Sequence, residues 1–254
     1  ILFVLEALGM SLKYDPGPIF SQFIDTNNYD ELKSPENAIK EMNFQENALL
    51  ATRDLLPDHK SLIGFVGGPW TVLSYGLGLN KGIQYENNYS NSFVFKVLSE
   101  KIIPLIKYNI SLQLNAGAEL VMIFDTDAKS ISDSKNFNNY SKYLYEEIIK
   151  EFPKKIGYYS KSPFDNKFFV DDLNNDDCFL AGLGVDHQLS MDHWFKEINN
   201  GFIQGNFNQE SMVKDHGRCC RKSGNAPSCG RAWSCGTNAG RRKPDATNRS
   251  SGAM

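Results

Sequence analysis

The chain has 254 residues, 41% hydrophobic and 12% aromatic, with a net charge of −3; that is enough for one large domain with a substantial core, at a composition normal for a folded globular protein. No apolar run approaches the roughly 20 residues of a membrane span, and no charged-then-apolar leader opens the sequence, so neither membrane insertion nor secretion is expected. The charge is unevenly divided: residues 216–254 carry eight basic residues and one acidic residue against 19 and 29 before them, so the body stands at −10 and the tail at +7.

In chain order, Ile1-Leu2-Phe3-Val4-Leu5 reads as the middle of a strand, which implies a segment upstream. Ser34-Pro35-Glu36 is a helix start: a capping hydroxyl, then proline and an acid in the first turn. The spacing of Ile39, Met42, Ala48, Leu49 and Leu50 predicts one amphipathic helix over 35–56, stopped by Pro57. The apolar run 62–66 predicts a buried strand. It ends in Gly67-Gly68-Pro69, a tight loop where backbone must come close to something, and Pro69 suits the first turn of a helix from about Trp70. Residues 93–115 predict a long helix with a bend at Pro104, closed by Gly117. Beyond it come a strand at 119–125, a helix at 140–152, a strand at 155–159, a helix at 164–173, a strand at 179–185, a helix at 190–198 and a strand at 202–205.

This alternation argues for an α/β fold of parallel strands under covering helices. The loops that follow strands (67–69, 125–129, 185–189, 205–209) are rich in Gly, Asp, Asn and Ser. In a (β/α)8 TIM barrel such loops build the active face. A doubly wound open sheet is the runner-up from pattern alone. No Gly-x-Gly-x-x-Gly follows a strand, so a dinucleotide site is not expected.

Two domains follow: a body over 1–215 and a basic tail over 216–254. The tail has no Leu, Ile, Val, Phe or Tyr, too little apolar surface to offset the entropy of ordering it. It reads either as a disordered basic arm for nucleic acid or as foreign, out-of-frame sequence, and the second reading is favoured. Cys219, Cys220, Cys229 and Cys235 lie there with His216, at spacings that do not match paired zinc knuckles. In the body, Cys178 reads as a small hydrophobe. Asp186-His187 and Asp192-His193 read as a strand-end acid and surface histidines, with a metal site as the lesser alternative. Taken one by one, Phe65, Trp70 and Phe124 read as core aromatics, Tyr75 as a rim tyrosine and Thr126 as a helix cap. Asp125 and Asp127 read as solvated loop carboxylates or as a pair for acid–base work.

The string Gly64-Phe65-Val66-Gly67-Gly68-Pro69-Trp70-Thr71 resembles the Gly-Phe-x-Gly-x-Pro-Trp-Thr signature of the uroporphyrinogen decarboxylase family. Ala7-Leu8-Gly9-Met10 with Gly17-Pro18, Ala116-Gly117-Ala118 with Ile123-Phe124-Asp125-Thr126, Gly182-Leu183-Gly184-Val185-Asp186 and Ile203-Gln204-Gly205-Asn206 resemble further stretches of the same family, in the same order, over about residues 1–212.

The resemblance implies a (β/α)8 barrel, incomplete in this chain, from a cytoplasmic homodimer that uses neither metal nor organic cofactor. It implies decarboxylation of the four acetate side chains of uroporphyrinogen to give coproporphyrinogen, with no nucleic-acid partner. In the family a protonated pyrrole takes up the electrons left when CO2 departs, so the site must stabilise positive charge on the ring and hold many carboxylates. The family's catalytic Asp is expected immediately before Ile1, which leaves no catalytic residue in the chain and predicts that it is inactive alone. The resemblance gives Tyr75 as a hydroxyl for a substrate carboxylate or for the catalytic Asp, Thr126 as a hydroxyl for a substrate carboxylate, and Phe124 and Phe65 as walls of the cleft. It gives Gly67 as a point of close approach, and Ile1 and Leu2 as main-chain neighbours of the missing Asp. His216-Gly217 lies too early to match the family's C-terminal Gly-His-Gly loop. The alternatives are a corrinoid-dependent methyltransferase of the same superfamily, whose His-x-Cys pattern the body lacks, and a non-catalytic remnant with a nucleic-acid-binding arm.

Overall fold

Five parallel strands laid side by side in chain order organise the molecule: β3 (Ile63–Gly67), β4 (Leu120–Asp125), β5 (Ile156–Ser160), β6 (Gly182–Val185) and β7 (Phe202–Gly205). Each neighbouring pair is parallel, with Gly67 opposite Phe124, Phe124 opposite Tyr159 and Val185 opposite Gly205. The computed structural model describes residues 1–85, 91–131, 133–161, 166–188, 190–205 and 207–208. Among these the sheet is open, a five-strand arc of barrel wall with β3 and β7 at its edges. The tail and its cysteines lie outside the described residues, as does Asn206.

The helices follow from local sequence. Gly68 caps α4 (Pro69–Leu77), Pro69 takes the first turn, and Gly78 ends the helix at φ +71°, as only a residue without a β-carbon does at little cost. α5 (Ser92–Val97) begins at Asn91, whose side chain accepts from the Phe93 and Val94 amides. It runs through a π-helical turn at Leu98–Ile102 into α6 (Ile103–Asn115). The widened turn lies just before Pro104, where a regular helix would lose a hydrogen bond and clash, so the bend at Pro104 takes this form. α7 (Ser134–Glu147), α8 (Lys167–Leu173) and α9 (Met191–Glu197) complete the crossovers. No described helix is long and apolar enough to cross a membrane.

Three readings need correction. Ile1-Leu2-Phe3-Val4-Leu5 is not a strand; Phe3–Ala7 forms helix α1, with Val4, Leu5 and Ala7 buried. A five-residue apolar run does not distinguish a buried strand from a buried helical turn. The single helix expected over 35–56 is broken into α2 (Pro35–Ala38), a 3-10 turn at Ile39–Met42 and α3 (Phe44–Leu55). The helix expected at 140–152 starts earlier, at Ser134, because Asp133 caps it by accepting from the Asn136 amide. An antiparallel hairpin, β1 (Leu12–Tyr14) with β2 (Pro18–Phe20), stands apart from the main sheet.

The two faces of the sheet differ. Val66, Val121, Ile123, Tyr158 and Leu183 are buried toward the helices. The alternate residues point the other way: Ile63 and Phe65 are exposed, and Phe124 and Tyr159 are half-buried. At the β3 edge the Phe65 amide donates to Gln113 Oε1 and Gln113 Nε2 donates to the Phe65 carbonyl, each at 2.9 Å. The side-chain amide of buried Gln113 on α6 thus stands in for a neighbouring strand, meeting a donor and an acceptor that an edge otherwise leaves unpaired.

Candidate active site

The C-terminal ends of β3 and β4 are held together by Asp125. Its side chain is fully buried. Oδ1 accepts from the Thr71 amide at 2.7 Å and the Thr71 hydroxyl at 2.8 Å. Oδ2 accepts from the Tyr140 hydroxyl and, at 3.4 Å, the Tyr158 hydroxyl. Tyr140 in turn accepts from the Trp70 amide at 3.0 Å. The first turn of α4 therefore has its otherwise orphaned amides satisfied from β4 and α7, with a carboxylate at its positive end. The clasp also accounts for Gly68, because any β-carbon there would occupy the space of the Asp125 carboxylate. The close approach expected at Gly67-Gly68-Pro69 is between two parts of this chain.

Burial pushes the Asp125 pKa above the usual carboxylate range, while its hydrogen bonds from Tyr140, Thr71 and Tyr158 pull it down. Burial, and next the Asp125 charge, hold the phenols of Tyr140 and Tyr158 well above the ordinary tyrosine value. The solvated-loop reading of Asp125 is thus overturned. With both oxygens occupied by donors from within the chain, Asp125 is a positioning residue and not an acid open to a ligand. Nothing local marks this role, because the Thr71, Tyr140 and Tyr158 partners lie 54, 15 and 33 positions away. Asp127 joins the same assembly: its amide donates to the Thr71 hydroxyl at 3.0 Å, and its carboxylate accepts from Ser74 at 2.5 Å.

The residues singled out by sequence fall around this clasp. Thr126 opens the 3-10 turn Thr126–Ser130; the N-cap position it was expected to hold belongs to Asp125. Thr126 sits between two anchored residues, and Tyr75 directly follows Ser74, so the Ser74–Asp127 bond ties their two segments together. Phe65 is 55% exposed, which overturns its reading as a core aromatic. Its ring meets Phe124 edge-on at 6.4 Å, and Phe124 meets Tyr159 at 5.9 Å, a row of three rings across β3, β4 and β5 on the face away from the helices. Tyr159 was not singled out; its place opposite Phe124 depends on strand register. Trp70 is a buried core residue, as read. Gly67 lies under the Ile1 side chain, where a β-carbon would collide with Ile1 and come within 2.9 Å of Val72. Leu2 is buried in the core.

Tyr75 lines a cavity of about 180 Å³ between the β1–β2 hairpin and the end of α4, with Pro18, Ile19, Phe20 and Phe23 on one side and Asn80 and Lys81 on the other. Thr126, Phe124 and Phe65 are not in its lining. Among the described residues no three His, Cys, Asp or Glu side chains gather as a metal site; His187 lies 3.5 Å from Asp186 alone.

A family model described as uroporphyrinogen decarboxylase (URO-D) matches residues 1–225. The chain is 30% identical over 219 residues to a uroporphyrinogen decarboxylase of Francisella tularensis subsp. novicida, covering 82% of this chain and 61% of that protein. It is 32% identical over 229 residues to a uroporphyrinogen decarboxylase of Campylobacter lari, covering 81% and 62%. Among solved structures, a methyltransferase from Methanosarcina mazei superposes with a TM-score of 0.62 at 17% identity, over 81% of this chain and 62% of that one, a likeness of fold. The chain spans about three fifths of the length of these curated relatives. It belongs to the uroporphyrinogen decarboxylase family.

Proposed function

We propose that this member of the uroporphyrinogen decarboxylase family contributes the substrate-holding part of an enzyme that decarboxylates the four acetate side chains of uroporphyrinogen to give coproporphyrinogen. The observation that carries this reading is the aromatic row of Phe65, Phe124 and Tyr159 on the face away from the helices, beside the end of β4 that leads into Thr126; Tyr75 stands on α4, the helix that follows β3. Aromatic faces suit a flat macrocycle, and hydroxyls at the rim suit its carboxylates. In this reading the Tyr75 and Thr126 hydroxyls donate to substrate carboxylates, Phe65 and Phe124 wall the ring, and Gly67 with the Ile1 and Leu2 backbone forms the floor. The chemistry needs no metal or organic cofactor, because the protonated pyrrole itself accepts the electrons released with CO2.

The reading takes the whole protein to be a cytoplasmic homodimer and takes the 254 residues alone to bind without turnover. In this reading none of the 254 residues takes the place of the carboxylate that the family sets beside the pyrrole, and Asp125, whose oxygens are taken by Thr71, Tyr140 and Tyr158, is no replacement. The test is incubation of the isolated chain with uroporphyrinogen under reducing conditions, followed by chromatography of the oxidised products and a parallel titration with uroporphyrin. Binding without loss of carboxyl groups is expected. Products with seven or fewer carboxyl groups would refute the inactivity, and no binding would refute the substrate assignment.

A further inference from the structure

We propose that Lys81 is a carboxylate-binding residue, the cationic end of a subsite that takes one carboxylate-bearing arm of an organic anion beside Tyr75. The proposal rests on the substrate reading above and deepens it. The cavity is lined by apolar Ile19 and Phe20 on its hairpin side and by Tyr75, Asn80 and Lys81 on the other. A largely apolar lining that includes one lysine and two residues able to donate hydrogen bonds fits an anion on a hydrophobic stem better than a cation. About 180 Å³ is below the several hundred Å³ of a typical whole-ligand pocket, so the cavity suits a side arm and not a macrocycle.

The backbone under Lys81 is well fixed. Lys81 ends a 3-10 turn, Leu79–Lys81, bracketed by Gly78 at φ +71° and Gly82 at φ +92°. The Lys81 and Ile83 amides both donate to the Gly78 carbonyl, at 2.9 and 3.2 Å. A β-carbon on Gly78 would press on Ile83 and Phe23 at 2.7 and 2.9 Å, so the turn is held against the residue that also lines the cavity. Among the described residues no carboxylate lies within ion-pair distance of Lys81, whereas Lys33, Lys107, Lys150 and Lys167 each have one.

The test is a fluorescence titration of the full chain and its Lys81→Gln and Lys81→Arg variants with two probes, uroporphyrin and 1-naphthoate, at low and high salt. The basic residues 216–254 are common to all three chains, so differences report on position 81. Lys81→Gln is expected to weaken both probes about tenfold at low salt and flatten the salt dependence, as loss of one charge-assisted contact does. Lys81→Arg should retain binding, and circular dichroism melts should be unchanged. Equal affinities and salt slopes in Lys81→Gln and the parent chain would overturn the inference while leaving the substrate reading intact. Lys81-dependent binding of naphthoate without binding of uroporphyrin would uphold the subsite and remove the substrate reading. Failure of the parent chain to bind either probe would overturn both.

Discussion

The two faces of the parallel sheet put aromatic and polar groups to opposite uses. Toward the helices, Tyr140, Tyr158 and Asp125 are fully buried, and their polar atoms are paired with one another and with the start of α4. On the other face Phe65, Phe124 and Tyr159 touch edge to face while remaining open to solvent. Glycine keeps that face low: a β-carbon on Gly184 would press on the Tyr159 ring at 2.9 Å, and one on Gly157 would press on Phe202 at 2.6 Å. The covered face is therefore a source of stability, and on the reading proposed above the bare one is a surface for presentation. In a motif such as Gly-Phe-x-Gly-x-Pro-Trp-Thr, neighbouring residues serve different ends. Gly68, Trp70 and Thr71 belong to the clasp, and Phe65 belongs to the surface.

If that division holds, substitutions on the helix side cost stability and those on the bare side cost binding. The largest effect is expected from Asp125→Ala, which leaves the Thr71 amide and the Tyr140 and Tyr158 hydroxyls buried without their acceptor. At about 1–3 kcal/mol for each strongly engaged donor, the loss should reach about 3–5 kcal/mol in urea denaturation, enough to unfold a marginal chain. Gly68→Ala forces a methyl into the Asp125 carboxylate and should cost about 1–3 kcal/mol by overpacking. It should also lower proteolytic resistance less than Asp125→Ala does, which orders the two by a second assay.

Alkaline pH probes the same clasp without mutation. The Tyr140 and Tyr158 phenols are held above their ordinary value by burial and the Asp125 charge. Their contribution is therefore fully present below the unfolded pKa of about 10 and is lost as pH rises beyond it, by about 1.4 kcal/mol per pH unit for each phenol. Absorbance at 295 nm should show these two ionising only as the chain unfolds; early titration of every tyrosine would contradict the clasp. The smallest stability effect is expected from Phe65→Ala on the bare face, within about 0.5 kcal/mol of the parent, together with weakened uroporphyrin binding. A large loss of stability there would erase the contrast between the faces.

Much of the fold was legible in the chain. The strands from 62–66 and 202–205 and the helix begun by Pro69 were marked by apolar runs that end in Gly or Pro, and they are found at Ile63–Gly67, Phe202–Gly205 and Pro69–Leu77. What misled was too short or too distant to read. Five apolar residues at 1–5 carry no period that separates strand from helix, and the start of α7 at Asp133-Ser134 was hidden in a polar stretch that resembles a loop. The site was legible where it is local, as at Gly67-Gly68-Pro69. The role of Asp125 was not, because burial and partners set it, and those come from three other elements brought together only by the parallel register. Lys81 was likewise unmarked, since only folding brings the 12–20 hairpin against the end of α4.

The central claim, that the bare face at the strand ends is where a carboxylate-rich macrocycle sits, is tested most directly by an amide-resolved NMR titration of the isolated chain with uroporphyrin. The account predicts shift changes at Phe65, Gly67, Phe124, Thr126 and Tyr75, saturating together, with the helix-side amides of Val121 and Ile123 unmoved. Changes confined to the arginines of residues 216–254, with the strand ends silent, would contradict it.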